Sequence, residues 1–412
     1  MIKHLISAME HAVIALKKNT SRNITLFHHN DTDGLSSATI VMSAFNQIGY
    51  DVSRFSLEKP YPQILKRILS QENQIIIFTD FAGRIAPMIA KLNNGKNLII
   101  ILDHHPAEAV DDVNVFNLDA ELYGLKGDRD ISASSTCYLF SDVLLRSFGL
   151  SGVRYSHLGA LGAIGDGFLV KGALSGINRE ILNIAVNQGL IRVSTTDTGE
   201  SYSIILGEKE YSADKICNVL DTVGGVGYYN DGTSRGIEIC QTGLNPEINA
   251  YSRELERKKA AIFSKEIKNL KKNIHTTANI QWFNVEDRFQ PMGIKMIGVF
   301  CSLIKDRDFL EKKKYLAGFQ HVPDSVPGFG KIEFNSTKIS MRVSITLTDL
   351  IRSGKIPGLN SFLPKATENL GGFSDACHRL SAATTVKVGE EELLIEEMEK
   401  VLKQRMENNE HR

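Results

Sequence analysis

The sequence predicts an α/β protein: a doubly wound, mainly parallel sheet, followed by a second, smaller α/β domain that a long helix joins to the first. Three observations support this prediction. In the first part of the chain short β-branched runs alternate with helical patterns, acidic residues and histidines follow these runs, and a long amphipathic pattern begins after Gly243. A strand, a helix and a second strand at such spacing are typical of a parallel sheet covered by helices.

Three strands and two helices are predicted in the first domain. The strands are Asn23–His28, residues 74–78 and Leu98–Leu102. The last two are continuous apolar runs, which is typical of strands that are buried on both faces. Helical patterns cover residues 34–45, after the first strand, and residues 84–92, between the other two. Ligands of such sheets bind beyond the carboxyl ends of the strands, so the residues at those ends decide the function.

The chain is predicted to divide into a catalytic domain over residues 1–243, a connecting helix over residues 244–277 and a second domain over residues 278–412. The connecting helix begins at Asn245-Pro246, where a cap residue precedes a proline at the first helical position. The second domain shows, in order, strand-like runs at 297–304 and 339–347, a helix, a Gly371-Gly372 turn, a short strand at 383–388 and a terminal helix from Glu390.

The composition is that of a soluble globular protein. Of the 412 residues, 42% are hydrophobic and 23% are charged. No apolar run approaches the roughly 18 residues of a membrane span, and the first helix lacks the pattern of a signal peptide. Five scattered cysteines argue against a disulfide framework or a thiolate zinc site, and they indicate a reducing cytoplasm.

The charge balance excludes one class of function. Lysine plus arginine equals aspartate plus glutamate, at 48 each, so the chain is not a globally basic nucleic-acid scaffold. A local basic surface stays open, because eight basic and three acidic residues lie between Arg253 and Lys272. This helix face is either simply solvated or one wall of a groove that binds phosphates.

Acidic residues and histidines follow each of the three strands. The first is followed by His28-His29-Asn30-Asp31-Thr32-Asp33-Gly34, the second by Thr79-Asp80 and the third by Asp103-His104-His105, while Gly165-Asp166 closes a later apolar run. At one sheet edge these carboxylates would repel one another unless cations lay between them. Aspartate oxygens with imidazoles suit Mn²⁺ or Mg²⁺, and two such ions about 3.5–4 Å apart suit hydrolysis of a phosphate ester. The residues therefore predict a two-metal phosphoesterase.

These segments resemble the four motifs of the DHH phosphoesterase superfamily. That group includes RecJ-type exonucleases, oligoribonucleases, phosphatases of 3′-phosphoadenosine 5′-phosphate, cyclic-dinucleotide phosphodiesterases and family II inorganic pyrophosphatases. The second domain resembles the DHHA1 domain in its basic strand, residues 338–344, and in its glycine-rich loop, residues 371–377. Residues 223–228 and the long helix are most similar to archaeal-type RecJ homologues.

The resemblance implies a role for each residue at the strand ends. One metal ion would be held by Asp31, Asp80 and a histidine of the first motif, and the other by Asp33, Asp80, His104 and Asp166. His28 and His29 both qualify as that histidine, and His29 is taken as the ligand. His105 would contact the substrate phosphate, and Asp103 would orient the neighbouring imidazoles. The resemblance favours two Mn²⁺ ions, with Mg²⁺ as the alternative.

In the second domain the resemblance implies a substrate-binding set, which consists of Arg342, Ser344, Gly371, Gly372, His378 and Arg379. Arg342 would bind a phosphate with its guanidinium fork, and the two glycines would bring backbone N–H groups to it. The family has a histidine after these glycines, whereas this chain has Phe373. His378 and Arg379 would replace that contact, or Phe373 would stack on a base.

The resemblance implies a metal-dependent phosphodiesterase with its active site in the cleft between the domains. The expected activity is that of a RecJ-like exonuclease, which removes nucleotides from single-stranded DNA or RNA with a hydroxide activated by two metal ions. One alternative is a phosphoesterase for short oligonucleotides, a cyclic dinucleotide or a nucleoside bisphosphate, which the zero net charge and Phe373 favour. The other is a non-catalytic module that binds nucleic acid or replication proteins. Expected partners are single strands or short oligonucleotides, and a second copy of the chain or a replication or repair protein, in the cytoplasm and away from membranes.

Overall fold

The chain divides into two units, Met1–Arg253 and Glu254–Arg412, and the division lies within a long helix, Pro246–Asn273. The computed structural model describes residues 1–410, and of residues 375, 376 and 406–410 it describes the backbone alone. Among the helices of residues 1–410, none is both long enough and apolar enough to span a bilayer.

The first unit alternates helices and strands. Its helices are α1 (Ile2–Lys18), α2 (Thr32–Gln47), α3 (Pro62–Leu69), α4 (Ala86–Asn93), α5 (Ala133–Arg146), α6 (Ser156–Gly165), α7 (Gly176–Asn187), α8 (Ala213–Asp221), α9 (Gly232–Thr242) and the start of α10 (Pro246–Asn273). Its strands are β1 (Asn23–His28), β2 (Asp51–Ser56), β3 (Ile75–Thr79), β4 (Leu98–Leu102), β5 (Val115–Asn117), β6 (Leu169–Val170), β7 (Ala173–Leu174), β8 (Ile191–Thr196), β9 (Gly199–Leu206) and β10 (Lys209–Ser212).

The core of the first unit is a five-stranded sheet with the order β2-β1-β3-β4-β5, in which all neighbouring pairs are parallel. This confirms the predicted α/β class. Strands β3 and β4 are buried along their whole length, as their continuous apolar runs predict. His28 at the end of β1 lies opposite Thr79 of β3, which lies opposite Leu102 of β4. The three segments that follow these strands therefore start from the same edge of the sheet.

The second unit is a smaller α/β domain. Its strands are β11 (His275–Thr276), β12 (Ile280–Asn284), β13 (Tyr315–His321), β14 (Ser325–Val326), β15 (Gly330–Lys331), β16 (Ser336–Arg342), β17 (Phe373–Cys377) and β18 (Ser381–Lys387), and its helices after α10 are α11 (Lys295–Ile304), α12 (Ile345–Arg352), α13 (Leu363–Asn369) and α14 (Glu391–Glu410). Six of the strands form a mixed sheet with the order β11-β12-β13-β16-β18-β17.

The strand prediction for residues 297–304 was wrong, because this run forms helix α11. Its buried residues Ile297, Phe300, Cys301 and Ile304 recur at helical spacing, while Leu303 is 48% exposed. A continuous apolar run of this length fits a buried strand and a buried helix equally well, so periodicity alone does not separate them.

The strand predicted over residues 339–347 is also too long. Strand β16 ends at Arg342, and α12 begins at Ile345. The hydroxyl of Ser344 accepts a hydrogen bond from the Leu347 N–H at 3.1 Å, which makes Ser344 the N-cap of α12. Serine is a favoured N-cap because its side chain satisfies an N–H group that has no partner within the helix.

Candidate active site

The first-motif segment runs from the end of β1 into helix α2. Asp31 is the N-cap of α2, and its Oδ1 accepts a hydrogen bond from the Gly34 N–H at 3.0 Å. The other carboxylate oxygen, Oδ2, lies 2.9 Å from His29 Nδ1. His28 points its Nδ1 at the His29 carbonyl, 2.7 Å away, and takes part in none of the ligand clusters found among the described residues. Of the two histidines that qualified from the sequence, His29 is therefore the one that the fold brings to the carboxylates.

Three clusters of possible metal ligands lie at this sheet edge, and in each cluster the ligand atoms are within 4.8 Å of one another. The His29 cluster contains His29, Asp31 and Asp80, the His104 cluster contains Asp33, His104 and Asp166, and a third contains Asp80, Asp103, His104 and His105. All the predicted metal and catalytic residues of the first unit are thus brought together.

Asp80 connects the clusters. It follows β3 in the left-handed backbone region, with φ at 67°, and its N–H donates to the Leu102 carbonyl at the end of β4. One carboxylate oxygen lies 3.5 Å from His29 Nδ1, and the other lies 3.4 Å from His104 Nε2. Asp80 is 4% exposed, so both oxygens are directed at ligand clusters rather than at bulk water.

A backbone carbonyl orients His104. Its Nδ1 lies 2.6 Å from the carbonyl oxygen of Gly127, which can only accept, so the proton is on Nδ1. The other nitrogen, Nε2, is buried without a hydrogen-bond partner among the described residues and faces Asp33, Asp80 and Asp166 at 3.9, 3.4 and 3.6 Å. The ring of Phe168 packs on the imidazole with a centroid distance of 5.3 Å. A ligating histidine commonly donates its second N–H in this way, which fixes the ring for metal binding.

Helix α5 holds Asp33 in place. The N–H groups of Ala133 and Ser134 donate to its two carboxylate oxygens at 2.8 and 3.0 Å. These are first-turn N–H groups without a partner inside the helix, and the positive end of the helix dipole favours a carboxylate there. Ser132 is the N-cap of α5, so the helix turn that this serine caps is also the one that anchors Asp33.

Asp103 orients His105. Its Oδ1 accepts from His105 Nδ1 at 2.8 Å and from the His104 N–H at 2.8 Å, and its Oδ2 accepts from the Gly83 N–H at 2.9 Å. Burial alone would raise the pKa of the Asp103 carboxyl, but the His105 imidazole and these donors hold that pKa below its ordinary value. An ionised Asp103 keeps the proton of His105 on Nδ1 and sets the direction of its other nitrogen.

Ionisation at this edge is strongly perturbed. Burial and the Asp80 carboxylate raise the pKa of Asp33, and burial with the carboxylates of Asp31 and Asp80 raises the pKa of Asp166 to about 6. Burial would lower the pKa of His29, but the Asp31 carboxylate outweighs it and raises that pKa to about 10. These shifts follow from the repulsion between neighbouring carboxylates, whose negative charge the nearby imidazoles compensate in part when no cation is bound.

The donor set fits a pair of divalent cations. Each of the His29 and His104 clusters combines aspartate oxygens with one imidazole nitrogen, and Asp80 reaches both. Carboxylate and imidazole ligands without thiolates suit Mn²⁺ and Mg²⁺, and the buried Nε2 of His104 offers a lone pair that no protein donor among the described residues uses.

The predicted substrate residues lie in the second unit. Arg342 ends β16, where its Nε donates to the Ser302 hydroxyl at 2.9 Å, and the Ser340 hydroxyl lies 3.5 Å from its Nη1. Ser344, the serine that the resemblance implied, caps α12 with its hydroxyl and donates to the Lys312 carbonyl at 2.6 Å. Ser340 is thus the serine beside the guanidinium. Residues i and i+2 of a strand lie on the same face, so the position two residues before Arg342 is the signal in the sequence that points to Ser340.

The remaining predicted substrate residues occupy two places on the sheet. Arg342 lies opposite Ser381 of β18, and the His378 N–H donates to the Ser381 carbonyl at 2.9 Å, so the turn that contains His378 and Arg379 adjoins Arg342. The Arg379 guanidinium donates to the Ile351 carbonyl at the end of α12 at 2.7 Å. Gly371 and Gly372 precede Phe373, which lies opposite Thr385, further along β18. The side chains of Asp375 and Ala376 in this loop lie outside the described residues.

Residues 23–161 match the family described as the DHH family, N-terminal domain. This part of the chain is a DHH-family domain. Members of the DHH superfamily are phosphoesterases, and the matched residues contain the first three predicted motifs. The fourth, at Asp166, lies just beyond the match but joins the same ligand clusters.

One curated protein resembles part of the chain, and solved structures resemble its fold over most of its length. An uncharacterized protein of Methanocaldococcus jannaschii is 31% identical over 178 residues, which is 41% of this chain and 38% of that protein. The structure of RecJ with Mn²⁺ from Thermus thermophilus matches with a TM-score of 0.63 and 14% identity, covering 96% of this chain and 55% of RecJ. The structure of CDC45 from Entamoeba histolytica matches with a TM-score of 0.52 and 11% identity, covering 97% of this chain and 98% of CDC45. These structural matches establish the fold, and the chain spans about half the length of RecJ.

Proposed function

We propose that this chain is a phosphodiesterase that uses two divalent metal ions, with Mn²⁺ preferred, and that it removes nucleotides from single-stranded DNA or RNA as RecJ-like exonucleases do. The observation that carries the proposal is the position of Asp80, whose two carboxylate oxygens face histidines of two different ligand clusters. A carboxylate that faces both clusters would supply a ligand to each of two ions, and a pair of ions suits the hydrolysis of a phosphate ester.

The protein side chains have separate tasks in this proposal. His29, Asp31 and Asp80 would hold one ion, and Asp33, Asp80, His104 and Asp166 would hold the other. The pair would act as Lewis acids that activate water and neutralise charge on the phosphoryl oxygens. His105, kept in one tautomer by Asp103, would direct its Nε2 to the substrate phosphate.

Features of the second unit support a nucleic-acid substrate. Arg342 offers a guanidinium fork beside the Ser340 hydroxyl, a pairing suited to a phosphate. Lys265, Lys268 and Lys272 lie exposed along one face of α10. Lysines spaced along a helix in this way can contact successive phosphates of a strand.

A panel of labelled substrates with Mn²⁺ tests the proposal. The panel contains long single strands of DNA and RNA, dinucleotides, a cyclic dinucleotide and adenosine bisphosphate. We expect a ladder of stepwise products from a long strand, its loss in Asp80→Asn, and full activity in Asp51→Asn, which makes the same change at the exposed start of β2. An undiminished ladder from Asp80→Asn would refute the two-metal assignment.

A second candidate is a phosphoesterase for small substrates. The zero net charge favours it, and so does Phe373, which is half-buried at the start of β17, where its carbonyl accepts from the Thr385 hydroxyl at 3.5 Å. A phenyl ring has no hydrogen-bond donor, so Phe373 cannot give a phosphate the hydrogen bond that a histidine can give. In the same panel this candidate predicts that dinucleotides or bisphosphates are hydrolysed far faster than long strands.

A non-catalytic module that binds nucleic acid or replication proteins is the third candidate. The full set of ligands argues against it, because a module without metal chemistry would gain nothing from crowding Asp31, Asp33, Asp80 and Asp166 at one edge. Absence of turnover on the whole panel, together with tight binding of single strands, would favour this candidate.

A further inference from the structure

The turn that carries Asp31 and Asp33 is held from outside by the end of helix α8. Thr32 lies between the two aspartates, and its N–H donates to Asp221 Oδ1 at 2.9 Å. The Thr32 hydroxyl lies 2.9 Å from the same oxygen and 3.1 Å from the Cys217 carbonyl. Asp221 is the last residue of α8, so it contacts the metal-site turn across 189 residues of sequence.

These bonds satisfy a backbone group that the turn itself leaves without a partner. Thr32 is the first residue of α2, and the first N–H groups of a helix have no acceptor within it. Asp31 accepts from the Gly34 N–H, and Asp221 accepts from the Thr32 N–H. The first turn of α2 is thus capped by two carboxylates, one from a predicted metal ligand and one from a distant helix.

The residues after Asp221 contact the same turn. Residues Thr222–Val226 form a π-helical turn, and the Gly224 carbonyl accepts from the Asn30 side-chain amide at 3.1 Å. A Cβ atom on Gly224 would lie 1.8 Å from the Asn30 carbonyl oxygen, so only glycine permits this approach. Short π-helical turns recur at functional sites, where they redirect a helix end. The glycine-rich stretch that the sequence analysis compared with archaeal RecJ homologues therefore packs on the first motif.

We propose that Asp221 and the turn Thr222–Val226 form a brace that sets the separation of the Asp31 and Asp33 carboxylates and thereby the affinity for divalent metal. The proposal rests on the proposed function, since it concerns the same metal pair. Asp31 belongs to the His29 cluster and Asp33 to the His104 cluster, so a rotation at Thr32 would move ligands of both. Asp221 is a positioning residue, because it acts on these two ligands through its hydrogen bonds to Thr32.

Two substitutions of Asp221 separate the effect of its hydrogen bonds from the effect of its negative charge. A single oxygen of Asp221, Oδ1, accepts both from the Thr32 N–H and from the Thr32 hydroxyl. Asp221→Asn keeps a carbonyl oxygen that can accept both bonds, although more weakly because it is neutral. Asp221→Ala removes the acceptor. Asp214→Ala removes an exposed carboxylate from the first turn of the same helix and serves as the matched control.

Mn²⁺ binding to the full chain, measured by calorimetry and by the electron paramagnetic resonance signal of free Mn²⁺, tests the brace. Loss of a partner that orients a ligand typically weakens metal affinity by about 10- to 100-fold, and we expect that loss for Asp221→Ala. Asp214→Ala should match the wild type, and Asp221→Asn should lie closer to the wild type than to Asp221→Ala. The melting temperature of each metal-free variant is recorded beside its Mn²⁺ affinity.

The outcomes separate the two proposals. A wild-type chain that binds no Mn²⁺ would refute the proposed function itself. A wild type that binds Mn²⁺, with Asp221→Ala binding equally well, would refute the brace alone, even if the melting temperature of the variant fell. If Asp221→Ala does not fold, Thr32→Val replaces it, because it keeps the shape of Thr32 and removes the hydroxyl. Unchanged Mn²⁺ affinity in folded Thr32→Val would equally overturn the brace. A lower Mn²⁺ affinity in Thr32→Val, together with wild-type affinity in Thr32→Ser, which keeps the hydroxyl, would support it.

Discussion

Replacement of Asp166 by asparagine should stabilise the metal-free protein while it weakens metal binding. Asp166 follows helix α6, its side chain is 37% exposed, and one carboxylate oxygen lies 3.6 Å from His104 Nε2. Burial and the carboxylates of Asp31 and Asp80 raise its pKa from 3.8 to about 6. A folded-state pKa above the unfolded value means that the contribution to stability is present below about pH 4 and is lost as the pH rises through 6. At pH 7.5 the ionised carboxylate therefore opposes folding.

The size of the effect follows from that difference. A rise in pKa from 3.8 to about 6 corresponds to about 3 kcal/mol for a fully buried group, at 1.36 kcal/mol for each factor of ten. Because more than a third of this side chain meets solvent, screening reduces the figure to about 1 kcal/mol. A gain of that size in a unit of this length raises the melting temperature by roughly 2–4 °C. Saturating Mn²⁺ should reverse the order, because only the wild type keeps this ligand.

Thermal unfolding of the wild type and Asp166→Asn, followed by circular dichroism in EDTA and in Mn²⁺, checks the prediction at pH 7.5 and pH 5. The stabilisation in EDTA should shrink at pH 5, where the wild-type carboxyl is largely protonated. Asp197→Asn, in an exposed turn of the same unit, controls for loss of a surface charge. A metal-free Asp166→Asn chain that melts at or below the wild type, with undiminished Mn²⁺ stabilisation, would contradict the view that these carboxylates repel one another until cations bind.

Three further substitutions probe the supports of the site. Ser132→Ala removes the N-cap of α5, which should lower the free energy of unfolding by about 1 kcal/mol in urea titrations, whereas Ser132→Thr should retain most of it. Gly127→Ala places a Cβ atom 1.6 Å from the His104 carbonyl oxygen, so the loop must move and Mn²⁺ affinity measured by calorimetry should fall about tenfold or more. Burial lowers the pKa of His157 to about 4, so its contribution to stability is present above pH 6.5 and is lost as the pH falls toward 4. His157→Gln should therefore lose about 2 kcal/mol less than the wild type between pH 7.5 and pH 5 in the same titrations, and equal losses would contradict this.

The sequence was sufficient to predict which residues meet at the sheet edge. The boundaries of β1 and β4 agree with the prediction residue for residue, and β3 begins one residue later than predicted. A parallel strand that is buried on both faces has a continuous apolar run, and the residue that follows it must lie at the carboxyl edge. This reasoning predicts that Asp80 and Asp103 lie at the edge, although it does not predict how their side chains are oriented.

The second unit was less predictable because its segments are ambiguous in isolation. Residues 297–304 are apolar throughout most of their length, and only their packing in the fold makes them helical. The parallel neighbour of β12 is β13, Tyr315–His321, which the sequence analysis did not identify. The resemblance implied a substrate contact for Ser344, whose hydroxyl caps α12, while the serine beside the Arg342 guanidinium is Ser340.

The sequence could not predict how the side chains of the candidate metal ligands are oriented, and the reason is general. The groups that aim Asp33 and His104 are backbone atoms, namely the N–H groups of Ala133 and Ser134 and the carbonyl of Gly127. Any residue supplies such atoms, so residue type at these positions does not reveal the contact, except where a side chain would not fit, as at Gly127. Sequence patterns can therefore predict the membership of a carboxylate cluster, while the direction of each lone pair depends on how distant segments pack. A site assembled in this way tolerates many side-chain changes around it but few changes in backbone position, and for this reason the brace at Asp221 is expected to affect metal affinity without contacting the metal.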